Sequence, residues 1–272
     1  MKGVCQAPSM GRPALAVLAV LSGAGLSGAA DLPALRVGMD TRTPPWSFIQ
    51  GVDFSKEDFT ATPSVTEAQL KKLVGLDVDV ANALGRRLEV GLKIVPVSWF
   101  DLEKGLIAKR YDLIVNSWTP SRKTPASILA SAPYFEWGLL IAVRADNNKV
   151  RTYKDLSGVT VGHYRDPAVE LTLRSMGAGH LVPHDAPETL FEDLRKGTLA
   201  AIVFDSVYVR WRVANDPAFR AVGEPLNRLG YHVGVRKADA DLYEKVQAAL
   251  RSLLSSGEMG EIRRRWEGPA PK

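Results

Sequence analysis

The chain has 272 residues, of which 46% are hydrophobic, 24% charged and 8% aromatic. This is the profile of a soluble globular protein and not of a disordered, fibrous or membrane-spanning one. Its 35 lysines and arginines against 30 acids, interspersed along the chain, are too small a surplus for the basic footprint of a nucleic-acid binder.

The amino terminus carries Lys2 and Arg12, then an apolar stretch from Pro13 to Leu26, then Ser27, Gly28, Ala29 and Ala30 ahead of Asp31. That order is a secretory signal with its small-residue cleavage site, and the expected cut follows Ala30. The apolar run is too short and too rich in glycine and alanine to span a bilayer, and no later segment approaches about 18 consecutive apolar residues. Residues 1–30 are therefore expected to be removed and the remainder exported to the periplasm. Cys5 precedes the apolar run, so it is badly placed for lipidation of a mature first residue. The mature chain then has no cysteine, which excludes disulfides, thiol catalysis and cysteine-ligated zinc. Gly23, Gly25 and Gly28 have dinucleotide-fingerprint spacing but lie inside the signal, with no strand before them.

The first predicted strand runs from Leu35 to Met39. The polar stretch Gln50 to Lys72 reads as an insertion, with Ser64 and Glu67 at capping-box spacing. Val80, Leu84 and Leu88 share one helix face. Strands follow at Leu92 to Val97, Asp112 to Asn116 and Gly138 to Arg144. The polar segment Ala145 to Asp155 is the best internal boundary on composition. After a strand at Val159 to His163, Asp166 and Pro167 read as the N-cap and first residue of a helix that includes Leu171 and Ser175. His180 and His184 have metal-ligand spacing for a helix, but Pro183 between them predicts a loop pair instead. Asp185 and Glu188 form a second capping-box pattern. Strands at Ala200 to Phe204 and Tyr231 to Arg236 precede a helix with Leu242, Val246, Leu250 and Leu253 on one face. The alternation predicts an α/β protein with mainly parallel sheets covered on both faces. The roughly 240 mature residues suit two lobes.

Ligands of open parallel sheets collect at the carboxyl ends of the strands. The residues there are Asp40, Thr41, Arg42, Thr43, Pro44, Pro45 and Trp46 after the first strand, Asn116, Ser117, Trp118, Thr119, Pro120, Ser121 and Arg122 after the third, and Asp205 after the strand at Ala200. They supply a guanidinium, carboxylates, hydroxyls and indoles but no evident nucleophile and base, which suits holding a small zwitterion better than transforming it. Arg122 offers a rigid fork for a carboxylate, Asp205 a charge-assisted partner for an ammonium, and Trp99 a face for stacking. The bland alternatives are a solvated arginine, an aspartate that only caps the helix running to Ala214, and a core tryptophan. The sequence holds no GxSxG, HExxH or GxxxxGK motif.

The stretches Arg36 to Phe48 (RVGMDTRTPPWSF), Gly75 to Ala83 (GLDVDVANA), Trp99 to Arg122 (WFDLEKGLIAKRYDLIVNSWTPSR), Ser131 to Phe135 (SAPYF), Lys154 to Gly162 (KDLSGVTVG), Tyr231 to Lys237 (YHVGVRK) and Ser256 to Trp266 (SGEMGEIRRRW) resemble, in the same order, the periplasmic amino-acid-binding proteins of ABC importers. The resemblance implies a type II periplasmic binding fold. Its first lobe would comprise residues 31–136 and 236–272, its second residues 137–235, with crossing strands near 137–141 and 231–235 and ligand enclosed by hinge closure. It also implies that Arg122 grips an α-carboxylate, that Asp205 takes an α-ammonium, and that Asp40 and Trp99 line the ligand side chain. Trp46, Asn116, Ser117, Thr119 and Arg165 complete the expected site, and Asp77 and Asp79 are read as structural. Three departures stand out. Thr43 replaces a common aromatic, the loop 116–122 is about two residues short, and Arg165, Asp166, Pro167 and Ala168 replace a small-hydroxyl turn, so that Asp166 brings negative charge where a ligand carboxylate would lie. The expected protein is a monomeric, cofactor-free and metal-free receptor that delivers an amino acid or analogue to a membrane ABC permease. The rivals are a dehydratase-like enzyme on the same scaffold, with Asp166, Glu170 or Asp205 as its acid, and an accessory or sensory binding subunit.

Overall fold

A computed structural model describes residues 34–54 and 57–267. The expected signal and cleavage site, Cys5, the glycine triplet and the last five residues lie outside the described residues. In chain order the elements are β1 (Ala34–Met39), β2 (Arg42–Thr43), β3 (Ser47–Ile49), α1 (Glu67–Leu70), β4 (Leu73–Val74), α2 (Leu76–Leu88), β5 (Gly91–Pro96), α3 (Leu102–Ile107), β6 (Leu113–Ile114), β7 (Ile128–Ala130), β8 (Phe135–Trp137) and β9 (Leu139–Arg144). They continue with β10 (Thr160–Tyr164), α4 (Pro167–Ser175), β11 (His180–His184), α5 (Pro187–Lys196), β12 (Ala201–Asp205), α6 (Ser206–Asn215), β13 (Phe219–Val222), β14 (Leu229–Tyr231), β15 (Gly234–Arg236), α7 (Ala240–Ser255) and α8 (Glu258–Glu267).

These strands make two five-stranded sheets, ordered β5-β1-β6-β15-β7 and β11-β10-β12-β9-β13. In each, the first three strands are parallel and the last two join antiparallel. The short antiparallel pair β8 and β14 links the sheets, with Phe135 opposite Tyr231 and Trp137 opposite Leu229. The fold is thus α/β with two mixed sheets. One apolar core runs from Val37, Leu84 and Val246 on the first sheet through Tyr134, Phe135 and Tyr231 to Leu190, Phe191 and Val209 on the second. Separate cores cover the outer faces, around Leu102 and Leu106 of α3 and around Leu173 of α4.

Several local expectations shift, each for an identifiable reason. The run from Tyr231 to Arg236 is two strands, because its first residue pairs in the link and its last three in the first sheet; between them His232 donates its amide to the Trp118 carbonyl at 2.8 Å. The capping box at α1 is made by Thr66 and Gln69, two residues beyond Ser64 and Glu67. Asp185 does not cap α5; it pairs with Arg165, and Ala186 takes the N-cap position before Pro187. Asp166 does cap α4, accepting from the Ala168 amide at 2.7 Å, yet the side chain that α4 buries is Leu173, while Leu171 is exposed. His180 and His184 lie on strand β11, not in a loop. Four residues along a strand span about 13 Å, and His184 is directed to Asp193 at 3.1 Å. The polar segment 145–155 is no boundary between sheets, since Arg220 of β13 and the carbonyls of Asn147 and Val150 bind it to the second sheet.

Candidate functional site

The carboxyl ends of β1, β5 and β6 bring Asp40, Trp99 and Asn116 together. The Asp40 amide donates to the Asn116 side-chain oxygen, and the Trp99 amide donates to Asp40 Oδ2 at 3.2 Å. Asp40 itself is fully buried, and its carboxylate is gripped in two places by Arg42, whose Nε and Nη2 lie 2.9 and 2.8 Å from Oδ1 and Oδ2. The expectation that Asp40 faces a ligand side chain therefore meets a carboxylate already engaged. Arg42 is itself held by the carbonyls of Asp58 and Phe59 at 2.9 and 3.1 Å, with the Phe59 ring 4.8 Å from its guanidinium carbon. The polar insertion thus folds back over the end of β1. The Trp99 side chain is 43% exposed, set edge-on against exposed Phe100.

A second group lies where the sheets meet. Gly75 opens α2 at φ 145°, and the first amides of that helix, Leu76 and Asp77, donate to the carbonyls of Pro45 and Trp46 at 2.9 and 2.8 Å. This fixes the turn that carries Trp46. Its indole nitrogen donates to the Tyr231 hydroxyl at 3.0 Å, and that hydroxyl donates in turn to the Asp205 carboxylate. Asp205 ends β12 and caps α6, accepting from the Val207 amide at 2.7 Å. The capping alternative is thus part of the geometry. Desolvation pushes its carboxyl up to about 7 against the lowering effect of Tyr231 and the amides of Val207 and Tyr208.

Asp77, read from sequence as structural, has a parallel arrangement. It accepts from the Tyr134 hydroxyl at 2.6 Å, and that hydroxyl accepts from the Ser117 amide at 3.1 Å. Burial pushes the Asp77 carboxyl up to about 7 as well, and its Oδ2 has no hydrogen-bond partner. The rings of Tyr134 and Tyr231 are 6.1 Å apart, so two acid–tyrosine pairs face each other across the link. Tyr231 also stacks on Phe135 and Trp137, at 5.8 and 5.5 Å.

The remaining expected residues divide. Ser117, at φ 46°, points its amide to Tyr134. The Thr119 hydroxyl is used twice, donating to the Gly230 carbonyl at 2.9 Å and accepting from the Trp137 indole at 3.1 Å, so it ties the segment after β6 to both linking strands. Arg122 is exposed three residues further on. Arg165, at the end of β10, is also exposed and forms a two-point pair with Asp185, Nε to Oδ1 at 2.6 Å. Arg42 was named from the sequence only as one of the strand-end residues, and Tyr134, Tyr208 and Tyr231 were given no role. The available signal was that each falls within or beside a stretch following a strand or a quoted motif. Among the described residues no group of three metal-ligating side chains occurs, and no helix is long and apolar enough to cross a membrane.

Comparison with known proteins agrees with this architecture. The chain is 29% identical over 237 residues to the L-cystine-binding protein TcyJ of Escherichia coli K12, covering 86% of this chain and 82% of that one. An ancestral arginine-binding protein solved with arginine superposes with a TM-score of 0.64 at 25% identity, over 88% of this chain and all of the other. The unliganded, open L-cystine solute receptor of Neisseria gonorrhoeae shares the fold, with a TM-score of 0.68 at 20% identity over 88% and 94% of the two chains. Residues 58–269 match the family described as bacterial extracellular solute-binding proteins, family 3. With two linked α/β halves, and with that family match spanning most of its length, the chain belongs to the bacterial extracellular solute-binding proteins of family 3.

Proposed function

We propose that this solute-binding protein captures an amino acid or a closely related small zwitterion between its two sheets, in the periplasm, and delivers it to an ABC permease. The observation that carries the reading is Asp205. It is a carboxylate buried at the carboxyl end of a central strand, raised to about 7 by desolvation, with acceptor capacity beyond the Val207 amide and the Tyr231 hydroxyl. Such a group gains most from a ligand ammonium, whose charge replaces the solvation lost on burial. Arg122, exposed on the segment after β6, is the proposed partner for the ligand carboxylate. The cystine and arginine relatives support the ligand class.

The lobes are proposed to close about the β8 and β14 pair, where the Thr119 hydroxyl touches both strands. Titration calorimetry across amino acids, polyamines, carboxylates and sugars tests the ligand class. Saturable heat with amino acids is expected, and binding confined to sugars or polyamines would overturn it. Incubation with prephenate-like acids separates receptor from dehydratase: the receptor leaves them unchanged, whereas sustained conversion would make the protein an enzyme.

A further inference from the structure

We infer that Arg42 sets the class of side chain the site accepts. By consuming Asp40 it leaves the end of β1 without a buried carboxylate free to pair with a ligand side chain, so the protein takes amino acids with uncharged side chains and rejects those with cationic or anionic ones. This rests on the amino-acid receptor reading above and narrows it.

The argument is one of hydrogen-bonding capacity. A carboxylate offers about four acceptor positions. On Asp40 all four are taken: Oδ1 accepts from the Arg42 amide at 3.1 Å and its Nε at 2.9 Å, and Oδ2 accepts from Arg42 Nη2 at 2.8 Å and the Trp99 amide at 3.2 Å. The guanidinium is equally committed. Nη1 donates to the Asp58 carbonyl and lies 3.8 Å from the Glu57 carboxylate, and Nη2 donates a second time to the Phe59 carbonyl. Both side chains of the pair are 1% exposed. A ligand ammonium or guanidinium seeking Asp40 would have to expel Arg42, stranding a buried cation beneath residues 58 and 59. An anionic ligand side chain seeking Arg42 meets the reverse problem.

The insertion makes this arrangement durable. Phe59 lies against the guanidinium and its carbonyl also accepts from Ser98 Oγ at 2.7 Å, so the cover is anchored to the strand end that carries Trp99. On the Trp99 side of the pair the accessible surface is aromatic, the exposed faces of Trp99 and Phe100, while the half-exposed Glu57 carboxylate lies beside Arg42 Nη1. Such faces suit an aliphatic, thioether or amide side chain. Asp205 differs in kind: its hydrogen bonds come from neutral groups, Tyr231 and backbone amides, so its charge is left for a ligand.

The test is titration calorimetry of the purified protein with L-arginine, L-lysine, L-glutamate, L-glutamine, L-methionine and L-cystine. At least one neutral member is expected to bind about tenfold or more tightly than arginine, lysine and glutamate. Arginine, lysine or glutamate binding as tightly as the best neutral ligand would overturn the inference and leave the receptor reading intact. Silence from the whole panel would overturn both. Arg42→Met frees Asp40 and is expected to raise affinity for arginine and lysine about tenfold or more, a gain that Asp40→Asn combined with Arg42→Met abolishes. A folded Arg42→Met protein with no such gain would also overturn it. Should Arg42→Met fail to fold, the ranking of ligands by the unaltered protein decides.

Discussion

The indole of Trp46, carried on the turn after β2, stacks on the phenol of Tyr208 on α6, with ring centroids 5.8 Å apart and planes 28° from parallel. One ring belongs to the half built on the first sheet and the other to the half built on the second, so the contact joins the two halves. The same indole reaches Asp205 through Tyr231. Trp46→Phe keeps a stacked ring and loses the N–H donor, and should lower stability by about 1 kcal/mol. Trp46→Ala removes ring and donor from a buried position and should cost about 3 to 5 kcal/mol. Urea unfolding distinguishes the two; equal losses would mean that stacking contributes nothing.

Gly75 makes that turn possible. A side chain there would place its Cβ 2.1 Å from the Trp46 carbonyl oxygen, at a φ of 145° that L-residues rarely adopt. Gly75→Ala should therefore destabilise by at least about 2 kcal/mol and displace Trp46. A shift in tryptophan fluorescence accompanying a lower Tm is the expected result; a Tm within a degree of the parent would show that the turn relaxes freely.

Asp77 and Asp205 dictate how stability responds to pH. Desolvation raises both carboxyls to about 7, from an ordinary 3.8. Between about pH 4 and pH 7 the native protein holds protons that the unfolded chain has released, so stability falls as pH rises through that window and levels off above it. Asp112 acts oppositely at lower pH. Partial burial works against its ionisation, but hydrogen bonds from Arg36 and Arg236 hold it at about 2, so its contribution disappears as pH falls from about 4 towards 2. Denaturant midpoints from pH 3 to 8 should trace a maximum near pH 4. Asp77→Asn should make the fall from pH 4 to 7 shallower; an unchanged slope would mean that Asp77 ionises normally in the native state.

How far the fold could be read from the sequence depended on the range of the interactions involved. Strands such as Leu139–Arg144 and Ala201–Asp205 were legible because β-rich runs are bounded by local signals, whereas Ile128–Ala130, His180–His184 and Phe219–Val222, short or interrupted by proline, were not. The split of the run from Tyr231 to Arg236 was not, because what divides it is pairing with residues about a hundred positions away, Phe135 for one half and Leu129 for the other. The site followed the same rule. Asp40 and Asp205 are placed at strand ends by topology, which the alternation of elements reveals. That Asp40 is neutralised by a residue two positions on was hidden, since Arg42 acquires its role only when residues 58 and 59 fold back to accept its remaining donors. Asp166 capping α4 was legible because Asp-Pro is a local signature, whereas Asp185 was drawn to Arg165, 20 residues away, in place of its own helix.

Arg122 and Asp205 can be tested separately because they differ in environment. Arg122 is exposed, so Arg122→Ala should change stability by no more than about 0.5 kcal/mol, while removal of the proposed carboxylate partner should weaken amino-acid binding by about 2 to 5 kcal/mol. Asp205→Asn retains shape and can still accept from the Val207 amide through its single oxygen, but it turns an NH2 donor towards the Tyr231 hydroxyl and removes the charge offered to an ammonium. A ligand ammonium stabilises the ionised carboxyl, so at pH 6, where Asp205 is largely protonated, binding must expel a proton. Calorimetry in two buffers of different ionisation enthalpy should then give different apparent heats for the unaltered protein and equal heats for Asp205→Asn. A buffer dependence that survives Asp205→Asn would assign the proton to another group, and unchanged affinity in that variant would remove Asp205 from the binding site altogether.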